Sequence, residues 1–131
     1  MIFVDSNVPM YLVGSAHPNK DRLRELLDQL IQGRARFVTD VEAYQEILHR
    51  YTAIGRPDAI DPAFDCLDSI ADDVLTFGMA QIRTAREILA SVEGLSARDA
   101  LHVAVMRNAG VSRILSLDRG FDSCPGIERL G

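Results

Sequence analysis

Lysine is almost absent from this sequence of 131 residues: Lys20 is the only one, and the other thirteen of the 14 basic residues are arginine. This shortage excludes active sites that depend on a particular lysine. A phosphoacceptor receiver domain combines a doubly wound sheet with an acidic Mg²⁺ pocket, but it needs a lysine at the end of a late strand. Because Lys20 lies in an early loop or helix start, the sequence does not fit a receiver domain.

Cysteine, glycine-rich loops and long apolar runs are also scarce. The two cysteines, Cys66 and Cys124, have no partners at metal-ligand spacing, which indicates free thiols in a reducing compartment. No glycine-rich loop follows a predicted strand, which excludes P-loop and Rossmann nucleotide sites. No apolar run approaches ~18 residues, so we expect no membrane span. Met1 leads directly into the apolar segment 2–4 without a basic region, so we expect no secretory signal and a cytoplasmic location.

The chain is acidic, with 19 Asp and Glu against 14 Lys and Arg and a formal net charge of −5. This negative net charge argues against a protein that binds nucleic acid over its whole surface. It does not exclude a nuclease, because a cluster of metal-binding carboxylates is itself acidic and is neutralised by its cation. The length predicts one domain, 1–131, with a self-sufficient core.

Short apolar segments alternate with amphipathic ones along the whole chain. Strands are predicted at 2–4, 36–39, 74–77, 113–117 and 127–130. Helices are predicted at 8–12, 20–31, from a cap at 39 or 40 to the break at 55, 58–71, 79–91 and from 96 to 110. This alternation predicts an α/β fold in which helices cover both faces of a parallel sheet. Strand carboxyl ends and helix amino ends then meet along one edge, where open sheets bind ligands.

The stretch from Ser96 to Asp122 brings two acids to that edge. Ser96 is a natural helix N-cap, Asp99 follows three residues later, and Gly110 ends the helix. The next strand delivers Asp118 at its carboxyl end. Because the helix runs down and the strand runs back up, we expect Asp99 and Asp118 to lie at the same end of the domain.

Other acids are placed to join these two. Asp5 follows the first strand, Glu46 and Glu42 share one face of the third helix, and Asp122 lies in the turn after the late strand. Each also has an ordinary structural interpretation. A strand-end Asp often caps a turn, Asp99 is the third residue of a capping box, and a helix-face Glu is usually solvated.

The convergence of these acids is more informative than any one of them. Two carboxylates ~5 Å apart repel by about 3 kcal/mol at an effective dielectric of ~20, so a fold keeps such a cluster most readily if a cation offsets it. Carboxylate and water ligands without a Cys or His set select a hard ion, Mg²⁺ or Mn²⁺. The chemistry that follows is attack of metal-activated water on a phosphodiester.

Four polar residues beside the acids are candidates for supporting them. Ser6, Asn7 and Ser116 are short groups suited to orienting a carboxylate or water, although turn chemistry explains them equally well. His102 lies three residues after Asp99, the spacing of some helical metal pairs, but within an Ala and Val packing face. We therefore interpret His102 as a packed residue or a support behind the ligands rather than as a ligand.

Four segments resemble, in order and spacing, the motifs of PIN domains, and a bare PIN domain of this length resembles the VapC toxins of bacterial and archaeal toxin–antitoxin pairs. The four segments are Asp5-Ser6-Asn7, the segment 39–50 with Gln45-Glu46-Ile47-Leu48-His49-Arg50, Ser96-Ala97-Arg98-Asp99-Ala100-Leu101-His102, and Ser116-Leu117-Asp118-Arg119-Gly120-Phe121-Asp122. This register selects Glu46 over Glu42. The resemblance implies a catalytic and metal-holding set of four acids: Asp5, Glu46, Asp99 and Asp118. It leaves Asp122 as a candidate outer member.

The same resemblance carries functional expectations for the whole chain. It implies an endoribonuclease dependent on Mg²⁺ or Mn²⁺, built on a five-stranded parallel sheet and assembled as a homodimer. It also implies a cognate antitoxin protein whose tail occupies the acidic groove. Arginines near the rim would hold the RNA backbone, or else be solvated: Arg50, Arg56, Arg98 and Arg119. The alternative is a non-catalytic PIN-like scaffold that binds RNA or protein, which the loss of two or more of the four acids would indicate; all four are present.

Overall fold

The centre of the structure, a computed structural model that describes residues 1–131, is a sheet of five parallel strands. The strands are β1 (Ile2–Val4), β2 (Phe37–Asp40), β3 (Asp73–Leu75), β4 (Arg113–Leu115) and β5 (Glu128–Leu130). They lie in the order β3-β2-β1-β4-β5, and every neighbouring pair is parallel. The predicted α/β fold with a five-stranded parallel sheet is confirmed.

Six helices cover the two faces of this sheet. They are α1 (Asn7–Val13), α2 (Pro18–Gln32), α3 (Val41–Ala53), α4 (Ile60–Ile70), α5 (Met79–Ser91) and α6 (Ala97–Asn108). Phe3 and Ile114 pack on one face with α5 and α6, whereas Val4 and Leu115 pack on the other face with α1 to α4. Since successive strand residues point to opposite faces, these central strands are buried on both sides, which explains their continuous apolar sequences.

Some element boundaries differ from the predicted ones. β3 spans 73–75 rather than 74–77, because its partner β2 ends at Asp40, opposite Leu75. β4 ends at Leu115 rather than at residue 117, because the Ser116 hydroxyl accepts a hydrogen bond from the Asp118 N–H at 3.0 Å and turns the chain. The helix predicted over 58–71 is divided into a short 3-10 turn, Pro57–Ala59, and α4.

The order of the strands reverses beside β1, which has β2 on one side and β4 on the other. From β1 the chain moves to β2 and β3 in one direction and returns to β4 and β5 in the other. A crevice at such a reversal, outside the carboxyl ends of the strands, is the usual ligand site of an open α/β sheet. Asp5, Asp40 and Ser116 lie at the ends of three adjacent strands along this edge.

None of the six helices combines the length and hydrophobicity that a bilayer span requires. Cys66 and Cys124 are both free thiols.

Candidate active site

A cleft of about 370 Å³ opens at this edge of the sheet. Its lining is almost entirely polar and consists of Ser6, Asn7, Met10, Glu46, Arg50, Ser96, Arg98, Asp99 and Asp118. Three of the four predicted acids, Glu46, Asp99 and Asp118, therefore face the same space. The fourth, Asp5, is 3% exposed and is hydrogen-bonded to two of the lining residues, Ser6 and Asn7.

Asp5 follows β1 and is held by groups from its own turn and from the end of β4. Its Oδ1 accepts a hydrogen bond from the Ser6 N–H at 2.8 Å. Its Oδ2 accepts one from the Ser116 hydroxyl at 2.6 Å and one from the Asn7 amide at 3.3 Å. Burial raises the pKa of Asp5, and it outweighs the lowering effects of His102 and Ser116. The carboxylate is thus fixed in orientation but unfavourable as an isolated buried charge.

The Ser116 hydroxyl joins the two strand ends that carry Asp5 and Asp118. It donates to Asp5 and accepts hydrogen bonds from the Asn7 amide at 3.2 Å and from the Asp118 N–H at 3.0 Å. A serine hydroxyl offers one donor and two acceptor positions, so all of them are used. The side-chain oxygen of Asn7, Oδ1, in turn accepts a hydrogen bond from the Leu117 N–H at 3.3 Å. Together Ser116 and Asn7 fix the spacing between the two acids.

Asp99 lies in the first turn of α6, where the Ser96 hydroxyl accepts a hydrogen bond from the Asp99 N–H at 3.1 Å. The predicted capping bond is therefore present, and it leaves the Asp99 carboxyl free to line the cleft. Burial and the neighbouring carboxylates of Asp5 and Asp118 raise the pKa of Asp99 to about 8. This shift is the result expected when carboxylates crowd into one poorly solvated site.

A buried histidine stands behind Glu46. Nδ1 of His102 is 2.7 Å from Asp40 Oδ2, and its Nε2 contacts Glu46 Oε1. Burial alone would lower the pKa of His102, but the hydrogen bonds to Asp40 and Glu46 raise it well above its usual value. Burial would likewise raise the pKa of Glu46, but His102 and the Ser6 hydroxyl reverse this effect and lower it. Glu46 is therefore an ionised carboxylate at the cleft.

The sequence profile of the PIN domain matches residues 2–126, which is almost the whole chain. The chain belongs to the PIN-domain family. It is 52% identical over 130 residues to ribonuclease VapC13 of Mycobacterium tuberculosis, a match that covers 99% of each chain.

Solved structures show the same fold as this PIN domain. VapC20 of M. tuberculosis, described as a sarcin-ricin loop cleaving toxin, superimposes with a TM-score of 0.74 over 95% of each chain at 20% identity. The VapBC2 complex of Rickettsia felis, solved with a DNA fragment of its promoter, also gives a TM-score of 0.74, covering 99% of this chain and 98% of the other at 12% identity. At these identities the likeness concerns the fold alone.

Two acids considered from the sequence lie outside the cleft of this PIN domain. Asp122 pairs through both oxygens with Arg129, at 2.8 Å from Nε and 3.1 Å from Nη2. This pairing lowers the pKa of Asp122. Glu42 lies one turn before Glu46 on α3 and is not among the lining residues. The geometry thus gathers the four predicted acids and gives no support to Asp122 as an outer member.

The arginines expected at the rim are also divided by the structure. Arg50 of α3 and Arg98 of α6 line the cleft, whereas Arg119 does not. Arg56 is instead paired with Asp58, at 3.1 Å from Nε and 3.0 Å from Nη2. The positive charge at the mouth of the cleft therefore comes from Arg50 and Arg98.

Asp40 belongs to this site, although the sequence predicts only a capping role for it. Its Oδ1 accepts a hydrogen bond from the Ala43 N–H at 2.9 Å, as a cap requires, while its Oδ2 contacts His102. Asp40 is completely buried. One signal was available, since Asp40 ends β2 at the same edge where Asp5 follows β1. Its pairing with a histidine 62 residues away could not be read from the sequence.

The donor set of the cleft fits a hard divalent cation. Asp5, Asp99 and Asp118 offer carboxylate oxygens, which Mg²⁺ and Mn²⁺ prefer. Asp5, Glu46 and His102 also present atoms within 4.8 Å of one another. Both ring nitrogens of His102 are hydrogen-bonded to carboxylates, however, which leaves no free lone pair for a metal. Burial and then repulsion from Asp5 and Asp118 raise the pKa of Asp99, and a divalent cation would offset that repulsion.

Proposed function

We propose that this PIN domain is an endoribonuclease dependent on Mg²⁺ or Mn²⁺ and is the toxin of a type II toxin–antitoxin pair. One observation carries the proposal: Glu46, Asp99 and Asp118 face one cleft with Asp5 behind it, and burial together with the neighbouring carboxylates raises the pKa of Asp99 to about 8. Relatives named as VapC ribonucleases, 52% identical over 130 residues, support RNA as the substrate.

Each acid has a distinct role in the proposed reaction. Asp5, Asp99 and Asp118 would hold the cation, and Glu46 would bind it directly or through water. When bound, the cation lowers the pKa of a water molecule and stabilises negative charge on the phosphate. Because Glu46 is ionised and held at both oxygens, its carboxylate is available in one orientation to accept a hydrogen bond from the attacking water.

Two arginines are placed to bind the substrate. Arg50 and Arg98 line the cleft from α3 and α6. Arginine guanidinium groups bind phosphate through paired hydrogen bonds, so these two side chains would hold backbone phosphates beside the acids.

An antitoxin protein is the proposed partner of this chain. The fold is shared with the VapBC2 complex of Rickettsia felis, and the acidic cleft would accept a basic segment.

We also propose a homodimer in the cytoplasm. α5 exposes three large apolar side chains, Met79, Ile82 and Leu89, which a second copy would cover. Sedimentation velocity of wild type and Ile82→Glu checks the dimer, which the substitution should dissociate.

Cleavage of total bacterial RNA by the purified protein tests the proposed activity. Because the sequence preference is open, new 5′ ends are mapped by sequencing, with Mg²⁺, Mn²⁺ or EDTA present and denatured DNA as the control substrate. We expect defined cuts in RNA only with a cation, and a rate at least about 100-fold lower for Asp99→Asn. A wild-type protein that binds RNA but never cuts it with either ion would instead be a PIN-like binding scaffold.

A further inference from the structure

A chain of three side chains, Asp40, His102 and Glu46, connects the core to the acidic cleft. Asp40 and His102 are both completely buried, and their contact between Oδ2 and Nδ1 measures 2.7 Å. The opposite ring nitrogen, Nε2, contacts Glu46 Oε1. Phe3 packs against the imidazole with ring centroids 5.1 Å apart. The orientation of the ring is therefore fixed by a neighbour on each side.

Glu46, at the cleft end of this series of three side chains, is equally constrained. Glu46 Oε2 accepts a hydrogen bond from the Ser6 hydroxyl at 2.9 Å, so each oxygen of this carboxylate has its own protein partner. A glutamate side chain has several rotatable bonds and would otherwise sample many orientations at an open cleft. The two contacts select one of these orientations.

Apolar packing of α6 does not require a histidine at position 102. His102 is the only polar residue among the seven consecutive buried residues 100–106 of α6. Replacing a whole buried ion pair with apolar side chains is often neutral or stabilising, so packing of the core does not by itself require the Asp40–His102 pair. Capping of α3 uses only Oδ1 of Asp40, which leaves the Oδ2 contact with His102 unexplained by the helix.

We propose that Asp40 and His102 are positioning residues for Glu46. Asp40 fixes the imidazole through Nδ1, and Nε2 then fixes Glu46 Oε1 so that this carboxylate presents one orientation to a cation and to water in the cleft. The inference rests on the proposed function, because that orientation matters only if Glu46 takes part in metal-dependent cleavage.

Two substitutions of His102 separate positioning from packing. The amide nitrogen of glutamine lies near the place of Nε2 and keeps a donor for Glu46, whereas that of asparagine lies near the place of Nδ1 and keeps only the Asp40 contact. Both remove the same buried ring. Met106→Ala, at a completely buried position one turn later on α6, is the control for destabilisation alone.

Mn²⁺ affinity, measured by calorimetry, and the kcat and KM for RNA cleavage are the readouts. We expect His102→Asn to weaken Mn²⁺ binding and lower kcat by about 10- to 100-fold. His102→Gln keeps the donor to Glu46 but loses the Asp40 contact, so its losses should lie between those of wild type and His102→Asn. KM should change little in either variant, and Met106→Ala should lower the melting temperature while keeping Mn²⁺ affinity. Equal losses in the Asn and Gln variants, or losses that follow melting temperature alone, would overturn the inference.

A second measurement needs neither metal nor RNA. The chain has 3 histidines, so ring ¹⁵N–¹H spectra of metal-free protein are simple, and His102→Gln assigns the resonances of this residue. We expect a slowly exchanging Nε2–H signal that Glu46→Ala abolishes. Glu42→Ala, one turn earlier on the same helix, should leave it in place. If the Nε2–H signal of His102 persists in Glu46→Ala, the positioning contact is refuted even when the enzyme is active. Conversely, a wild type inert towards Mn²⁺ and RNA that passes this test would refute the proposed function while retaining the contact.

Discussion

Asp5 and Ser116 lie at the ends of neighbouring parallel strands and share a hydrogen bond of 2.6 Å across 111 positions of sequence. The register of β1 and β4 places Val4 opposite Leu115, so the next residue on each strand meets the other just beyond the sheet. The first acid of the site is therefore oriented by the strand that delivers the last one, Asp118.

Ser116→Ala tests this relationship. The substitution removes the only hydroxyl donor to Asp5 and leaves its Oδ2 with the longer Asn7 contact of 3.3 Å. Because Ser116 is completely buried and uses all of its hydrogen-bonding positions, we expect the free energy of unfolding to fall by about 1–3 kcal/mol. Urea denaturation measures the change, with Ser69→Ala at an exposed helix position as control. A loss no larger than that of the control would contradict the assigned role.

The raised pKa of Asp99 predicts a pH dependence of stability in the metal-free protein. The pKa is about 8 in the folded chain against 3.8 for a solvated Asp. Between these values the folded state keeps a proton that the unfolded state has released, so the free energy of unfolding falls as pH rises from about 4 to about 8. Asp99→Asn lacks this contribution and should lose less stability over the same interval. Urea denaturation in EDTA at several pH values across that range measures the difference. Parallel pH profiles of stability for wild type and Asp99→Asn would contradict the raised pKa of Asp99.

The sequence was most informative where local chemistry decides the structure. Asp5 at a strand end and the Ser96 cap of α6 follow from short-range rules, and α5 occupies the predicted 79–91. The capping and site interpretations of Asp99 are compatible, because the cap uses its N–H and the cleft receives its carboxyl.

Long-range pairing was beyond those rules. The contact of Asp40 with His102 depends on how α6 lies across β2, and the Asp5–Ser116 contact depends on strand register. Similarly, Asp122 is the last residue of the fourth motif, but its carboxylate pairs with Arg129 after the chain turns back into β5. Such pairings belong to the tertiary structure, and neither periodicity nor motif spacing encodes them.

Asp118→Asn and Asp122→Asn form a matched pair that tests which late acids belong to the site. Asp118 lines the cleft, whereas Asp122 is paired with Arg129. We expect Asp118→Asn to lose most of the Mn²⁺-induced rise in melting temperature and Asp122→Asn to keep it, because ligand binding stabilises only through groups that contact the ligand. Thermal melting without Mn²⁺ and at saturating Mn²⁺ measures this rise. If Asp122→Asn also loses it, Asp122 is one of the metal ligands.

Substitution of the two cleft arginines should weaken RNA binding in a salt-dependent way. Arg50→Gln and Arg98→Gln each remove one phosphate contact, so the slope of log affinity against log salt should become shallower by about 0.7 per substitution. Fluorescence anisotropy with an inactive Glu46→Gln background and Mn²⁺ avoids cleavage during the measurement. Arg56→Gln, whose side chain is paired with Asp58, is the control and should leave the slope unchanged. Equal effects from all three would indicate non-specific attraction.

The most direct test of the central claim compares wild type with Asp5→Asn in melting and RNA cleavage, with and without Mn²⁺. Asp5 carries a raised pKa because it is buried, so the neutral isostere avoids the cost of a buried charge but loses one acceptor oxygen, and its melting temperature without metal should stay close to that of wild type. Mn²⁺ should raise the melting temperature of wild type by an amount that grows with its concentration, and should leave Asp5→Asn unmoved. Cleavage should require both the ion and Asp5. If neither protein responds to Mn²⁺ and Asp5→Asn is less stable than wild type, the four acids are structural caps and turns, and the nuclease account is wrong.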